Sequence, residues 1–173
     1  MVLRGKAHVF GDNINTDYII SGKYKFKTLD MDELATHLME DIDPGFASRI
    51  QKGDFIVAGR NFGCGSSREQ APLVIRHAGI SAVIAKSFAR IFYRNAMNIG
   101  LFLFEADTAG ISTSDELEVE VEKGRIVNLT KNTSMSAAAI PPFLIEIAAE
   151  GGVVEYLKRH GGFHLAGDQG GRQ

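Results

Sequence analysis

At 173 residues and 45% hydrophobic, the chain is long enough to bury one sizeable core and too short for two ordinary domains. A formal net charge of -2 and a pI near 6.2 supply no basic field for non-specific binding to nucleic acid or anionic membrane, so small molecules and proteins are the expected partners. The one cysteine, Cys64, excludes an internal disulfide framework and cannot by itself ligate an iron–sulfur cluster or a structural zinc.

The first seven residues lack the apolar core of a signal peptide, and no apolar run approaches the roughly eighteen residues of a membrane span, so a cytoplasmic protein is expected. Residues 7–10 read as a short strand, and the Gly, Asn and Asp of residues 11–17 as a polar, tightly turning stretch. Residues 22–29 read as an exposed loop. Residues 31–39 read as a helix, with Asp30 as N-cap and Met31, Leu34, Ala35 and Leu38 at helical spacing. From Asp54 onward strands at 55–58, 82–85 and 101–104 alternate with helices at 72–78 and 88–97, the pattern of parallel strands buried by helices. Residues 117–121 and 125–129 alternate in polarity around Glu122-Lys-Gly124 and predict a hairpin. Two short helices, 143–150 behind a Pro-Pro pair and 153–160, close a domain expected to span residues 1–160, and the Gly-rich residues 161–173 are expected to fray.

The chemistry concentrates in Gly59-Arg-Asn-Phe-Gly-Cys-Gly-Ser-Ser-Arg-Glu-Gln-Ala-Pro72, between a buried strand and a helix. Glycines let backbone N–H groups approach a ligand closely, a helix N-terminus adds partial positive charge, and Arg68 can grip a carboxylate with two parallel bonds. The spacing is neither that of a P-loop nor that of a Gly-x-Ser-x-Gly elbow. Ser66-Ser-Arg-Glu69 also has the spacing of a capping box, and these residues alone leave the anion site and the cap open. Pro72 belongs in a first helical turn, so the helix either starts near Ala71 or begins irregularly. A non-catalytic anion-binding module would use the same helix entrance. A serine hydrolase would need a base on Ser66, and no paired His–acid motif is visible; the five histidines lack ligand spacing.

Asn61-Phe-Gly-Cys-Gly-Ser-Ser-Arg-Glu-Gln-Ala71, followed by Lys86-Ser-Phe-Ala-Arg-Ile-Phe-Tyr-Arg-Asn95, resembles the swivelling C-terminal domain of the aconitase superfamily. Asn15-Thr-Asp17 and the chain length narrow the resemblance to the free-standing small subunits of 3-isopropylmalate dehydratase and of archaeal-type homoaconitase; it spans roughly residues 5–107. It implies an α/β fold of the swivelling β/β/α type, closing over a large subunit in a heterodimer or heterotetramer. That partner would carry a [4Fe–4S] cluster whose free iron binds the substrate hydroxyl, while this chain holds no cofactor. By motif, Ser66 corresponds to the base that takes the proton beside a carboxylate, with Gly65 supporting it, and Ser67 and Arg68 to ligands of substrate carboxylates. Asp17 matches an early Thr-Asp element and would orient or charge-balance these groups, a turn-stabilising aspartate being the alternative. Ser87 is the expected N-cap of the following helix, with Phe88, Ile91 and Phe92 as core. Arg90, four residues from Arg94 on one helix side, is a further candidate for holding a di-acid, pairing with surface carboxylates being the alternative. Cys64 is expected to pack as a small buried residue.

In these small subunits the loop after the first element sets the substituent accepted on the malate skeleton. Here it reads Ser21-Gly-Lys-Tyr-Lys-Phe-Lys-Thr28, offering Phe26 to an isopropyl group and Lys25 and Lys27 to a third carboxylate. The absence of arginine favours isopropylmalate, and hence leucine biosynthesis, over homoaconitate, citramalate or dimethylmalate.

Overall fold

The computed structural model describes residues 1–25, 27–28 and 30–163. Strand β1 (Val2–Val9) organises the molecule because its two halves pair with different partners. Ala7 to Val9 run parallel to β2 (Phe55–Ala58), while Val2 to Lys6 pair antiparallel with β5 (Glu116–Glu120). The changeover is held by Asp54, which is buried and accepts hydrogen bonds from the N–H groups of Lys6 and Gln51, both at 2.9 Å, and from His8 Nε2 at 2.8 Å. Burial pushes its carboxyl up, but the bonds from His8, Gln51 and Lys6 outweigh that and hold it below the usual carboxylate range. Gly5 is required here, because a Cβ would lie 2.3 Å from the Gly53 carbonyl oxygen.

Beyond β2 the parallel run continues through β3 (Ala82–Ala85) and β4 (Phe102–Glu105). The crossovers carry α5 (Gln70–His77) and α6 (Arg90–Asn98). Beyond β5, β6 (Arg125–Asn128) and β7 (Thr133–Ser136) extend the sheet antiparallel, giving the order β4-β3-β2-β1-β5-β6-β7. Alternation along the buried strands divides the core in two. Ile56, Ala58, Val83 and Ala85 face α5, α6 and the short helices α1 (Thr16–Ile19), α3 (Met31–Ala35) and α4 (Phe46–Arg49). Phe55, Val57, Ala82 and Ile84 pack instead against Leu117, Val119 and Ile126 of β5 and β6, with Leu144 of α7 (Pro142–Ala149) beside them. The antiparallel strands thus curl back to cover the sheet face that no crossover helix covers, giving the expected β/β/α layering. The curl shuts its own end with Asp115, a buried carboxylate bonded by Asn128 at 2.7 Å and Lys131 at 3.0 Å.

Several boundaries differ from the sequence reading. β1 begins at Val2 rather than residue 7, since its first half is selected by β5, far along the chain. The helix capped by Asp30 ends at Ala35 instead of residue 39, because Met39 takes a φ of 59° and gives its N–H to the Ile19 carbonyl. The 22–29 stretch opens with a helical turn, α2 (Gly22–Lys25). α5 starts at Gln70, placing Pro72 in the first turn, where its missing N–H costs nothing. α8 (Val153–His160) is as expected, and Phe163 beyond it stacks on Tyr156 and meets the Phe143 ring edge-on; the rest of the tail expected to fray, 164–173, lies outside the described residues.

Candidate functional site

The loops that leave the carboxyl ends of β1, β2 and β3 meet side by side, the position at which open α/β sheets hold ligands. The loop after β2 lies between the other two. On one side Asn13 N–H donates to Arg60 O at 2.8 Å, Gly63 N–H to Ile14 O at 2.7 Å and Asn61 Nδ2 to Asn13 Oδ1 at 3.0 Å. On the other, Phe62 N–H donates to Ser87 O at 3.0 Å and Ala89 N–H to Phe62 O at 2.9 Å. Phe62 points beneath the loop, fully buried, with Phe92 edge-on to its ring at 5.3 Å. Gly63 makes that packing possible: its φ is 78°, and a Cβ would lie 2.1 Å from Phe92 Cγ.

Above this aromatic floor lies an open cleft of about 550 Å³, and Ser66, Ser67, Arg68, Arg90 and Arg94 share its wall. Ser66, Ser67, Arg90 and Arg94 are exposed to it, and the Ser66 hydroxyl pairs with no other described residue. The capping box does not form: the N-cap of α5 is Glu69, in helical geometry and without a side-chain cap bond. The Arg68 side chain is 17% exposed and pairs with Asp17, while its Nη1 is buried with no hydrogen-bond partner among the described residues. Asn15 accepts from Asp17 N–H and so caps α1, which leaves the Asp17 carboxylate free to face the guanidinium. Gly65 is exposed with a φ of 86°. Arg90 and Arg94 form no ion pair with a described residue and also line a second groove, of about 410 Å³, on the far side of α6.

Two further expectations need correction. Ser87 does not cap α6, whose N-cap is Ala89; Ser87 Oγ instead accepts from Asn61 N–H at 2.9 Å, tying two of the loops together. Ile91 is not core: it is 57% exposed and lines the cleft, whereas Phe92 is buried as expected.

Of the loop residues, Phe26 and the Lys25 side chain lie outside what the structure describes. Lys27 is exposed, with its Nζ 5.9 Å from the centre of the Tyr24 ring. The sequence reading missed how this loop is held. Tyr24 stacks on His37 with ring centres 3.6 Å apart, and its hydroxyl, bonded to Glu40, keeps that carboxyl below the usual range with help from His37. At the start of the loop Gly22 abuts Arg68: a Cβ there would lie 3.4 Å from Nη1, so the loop is rooted beside the cleft. No described histidine lines the cleft, so no described imidazole stands where a hydrolase reading needs a base for Ser66. Among the described residues no group of three or more His, Cys, Asp or Glu is placed to hold a metal ion, and no helix is long and apolar enough to cross a membrane.

Comparison with known proteins agrees with this geometry. Residues 13–108, which contain the end of the first loop, the whole of the other two and α5 and α6, match the aconitase C-terminal domain. The 3-isopropylmalate dehydratase small subunit of Moorella thermoacetica is 55% identical, over 92% of this chain and 96% of its own. A methanogen homoaconitase small subunit from Methanothermobacter thermautotrophicus is 47% identical, over 98% of both chains. A crystal structure of 3-isopropylmalate dehydratase from Methanocaldococcus jannaschii superposes with a TM-score of 0.87 at 50% identity, over 93% of this chain and 96% of that one. The chain belongs to the aconitase C-terminal domain family, among its free-standing small subunits.

Proposed function

We propose that this chain is the small subunit of a two-subunit hydro-lyase that interconverts 2-isopropylmalate and 3-isopropylmalate by dehydration and rehydration, in leucine biosynthesis in the cytoplasm. The observation that carries the reading is the convergence of an unpaired serine hydroxyl with three guanidinium groups in one cleft, in a chain half identical to small subunits of that name along nearly its whole length. Arg68, held by Asp17, takes one substrate carboxylate in a bidentate grip, and Ser67 donates to the same group. Arg90 takes the second carboxylate. Ser66 removes the proton from the carbon beside a carboxylate; a serine hydroxyl is a very weak acid, and the neighbouring cations lower the cost of its losing a proton. One cysteine is no ligand set for a cluster, so the [4Fe–4S] group is assigned to the large subunit. Residues 1–160 act as one swivelling domain closing on that partner.

A second reading, the small subunit of a homoaconitase, is supported by the methanogen relative and by Lys27, a cation able to meet a third carboxylate. Mixing the purified chain with a reconstituted large subunit and measuring kcat/KM on 3-isopropylmalate and homoaconitate decides between them. The primary reading expects turnover only in the mixture, preference for isopropylmalate, and a shift of that preference toward the tricarboxylate in Phe26→Arg. Turnover by the chain alone would defeat the two-subunit assignment. Preference for homoaconitate, lost in Lys27→Ala, would establish the second reading.

A further inference from the structure

Thr16 bridges both ends of the Gly65 turn. It is 2% exposed, yet it lines the cleft with Ser66. Its N–H donates to the Cys64 carbonyl at 2.9 Å and its Oγ1 donates to the Ser66 carbonyl at 2.7 Å. Between those carbonyls sits Gly65, with φ at 86°, the residue in this segment whose backbone has most freedom to rotate. Two bonds from one buried residue therefore fix the peptide units on either side of the Gly65–Ser66 pair, and with them the direction of the Ser66 Cα–Cβ bond. Thr16 is itself fixed: it opens α1 behind the Asn15 cap, and its carbonyl accepts from Ile20 N–H at 3.1 Å.

Ser66 is an exposed residue, yet its carbonyl is held by a part-buried bond from the Thr16 hydroxyl. A buried hydroxyl spent on it contributes orientation. The next residue, Asp17, holds Arg68, so one dipeptide sets the backbone of the serine and the guanidinium beside it.

We propose that Thr16 is a positioning residue for Ser66, its hydroxyl setting the aim of the Ser66 side chain at the carbon that loses its proton. The inference rests on the assignment of Ser66 as the base. In the assembled two-subunit enzyme, Thr16→Val keeps the side-chain shape and removes the donor. With 3-isopropylmalate it should lower kcat by about 30-fold and move KM by less than about twofold, while Thr16→Ser, which keeps the donor, stays within about threefold of wild type. With substrate deuterated at the carbon that loses its proton, the isotope effect on kcat should be larger in Thr16→Val than in wild type, because a misaimed base slows that step; a residue that merely supported the fold would not change it. Ser66→Ala is measured in parallel. Activity retained in Ser66→Ala would overturn the base assignment itself. An inactive Ser66→Ala beside a Thr16→Val enzyme with wild-type kcat and isotope effect would overturn the role of Thr16 alone. Should Thr16→Val fail to assemble, Thr16→Ala and Thr16→Ser decide the matter: a slow alanine and a fast serine variant support the inference, and equal rates overturn it.

Discussion

The two ends of the sheet treat charge in opposite ways. In the curl of β5 to β7 the cations have partners: Arg4 pairs with Glu118, Lys123 and Arg125 with Glu120, Lys131 with Asp115, and the N-terminal ammonium with Glu122. Around the cleft, Arg90 and Arg94 pair with no described residue, Arg68 keeps a buried nitrogen without a hydrogen bond, and Ile91 stands 57% exposed. An exposed ion pair contributes only about 0–1 kcal/mol, so the pairing in the curl does little for stability. Its effect is to leave no field directed at a ligand. Arg90 and Arg94 keep theirs, available to a carboxylate that enters, and Arg68 keeps one unbonded nitrogen beside its pair with Asp17. Uncommitted charge, more than shape or burial, distinguishes the proposed working end of this molecule from its closed end.

The most severe test of that contrast is Ser66→Ala in the assembled enzyme. Loss of a proton-transfer group should lower kcat by about 10³-fold, and the unfolding midpoint should not move, because no cap bond is lost. A variant that keeps most of its turnover would make the cleft no more functional than the curl. Arg68→Lys retains the charge and loses the planar fork; kcat/KM should fall by about 10- to 100-fold, chiefly through KM, and an unchanged KM would place the substrate carboxylate elsewhere. Gly63→Ala drives a Cβ into the Phe92 ring and should destabilise the chain by about 1–3 kcal/mol in urea titrations, whereas equal stability would mean that the loop shifts freely on its aromatic floor.

Asp54 carries the contrast into pH. Its folded carboxyl is held below the unfolded value of about 3.9, so its stabilisation is complete above that value and lost as pH falls through the lower folded one. Asp54→Asn should therefore cost about 1–2 kcal/mol at pH 7, and urea titrations should show the gap to wild type closing toward pH 2. A gap of the same size at both ends would mean that shape rather than charge does the holding. The smallest effect belongs to the curl. Arg4→Ala and Arg125→Ala should each change stability by less than about 1 kcal/mol and leave kcat untouched, and a tenfold fall in kcat from either would erase the distinction between the ends.

The parts legible in the sequence are those whose signal is local. β2, β3 and α8 fall where periodicity places them, since a buried strand must be an unbroken apolar run and an amphipathic helix must show its period. The grouping of Ser66, Ser67 and Arg68 is legible for the same reason: they are neighbours in the chain. The first half of β1 and the whole of β7 are not, because strands that are polar on one face and chosen by distant partners carry no mark of their own. Nor is the joining of Thr16 to Ser66, or the stacking of Tyr24 on His37, each a contact between segments whose separation only the fold removes. The capping box at Ser66 shows the converse hazard: the spacing is present, and the helix begins too late to use it.

The place of β1 at the centre of the sheet has a consequence during synthesis. It is made before the other strands described, and its antiparallel partner follows late, with Arg4 and Glu118 114 residues apart. At ribosomal rates of about 5–20 residues per second, that separation amounts to roughly 6 to 23 seconds in which the parallel half can assemble while the first half of β1 remains an open edge. Such an edge is a template for a second chain, and cations along it are the usual protection. Arg4 and Lys6, exposed on that half-strand, put two cations along the edge while it is open, before Arg4 becomes the partner of Glu118 in the finished chain.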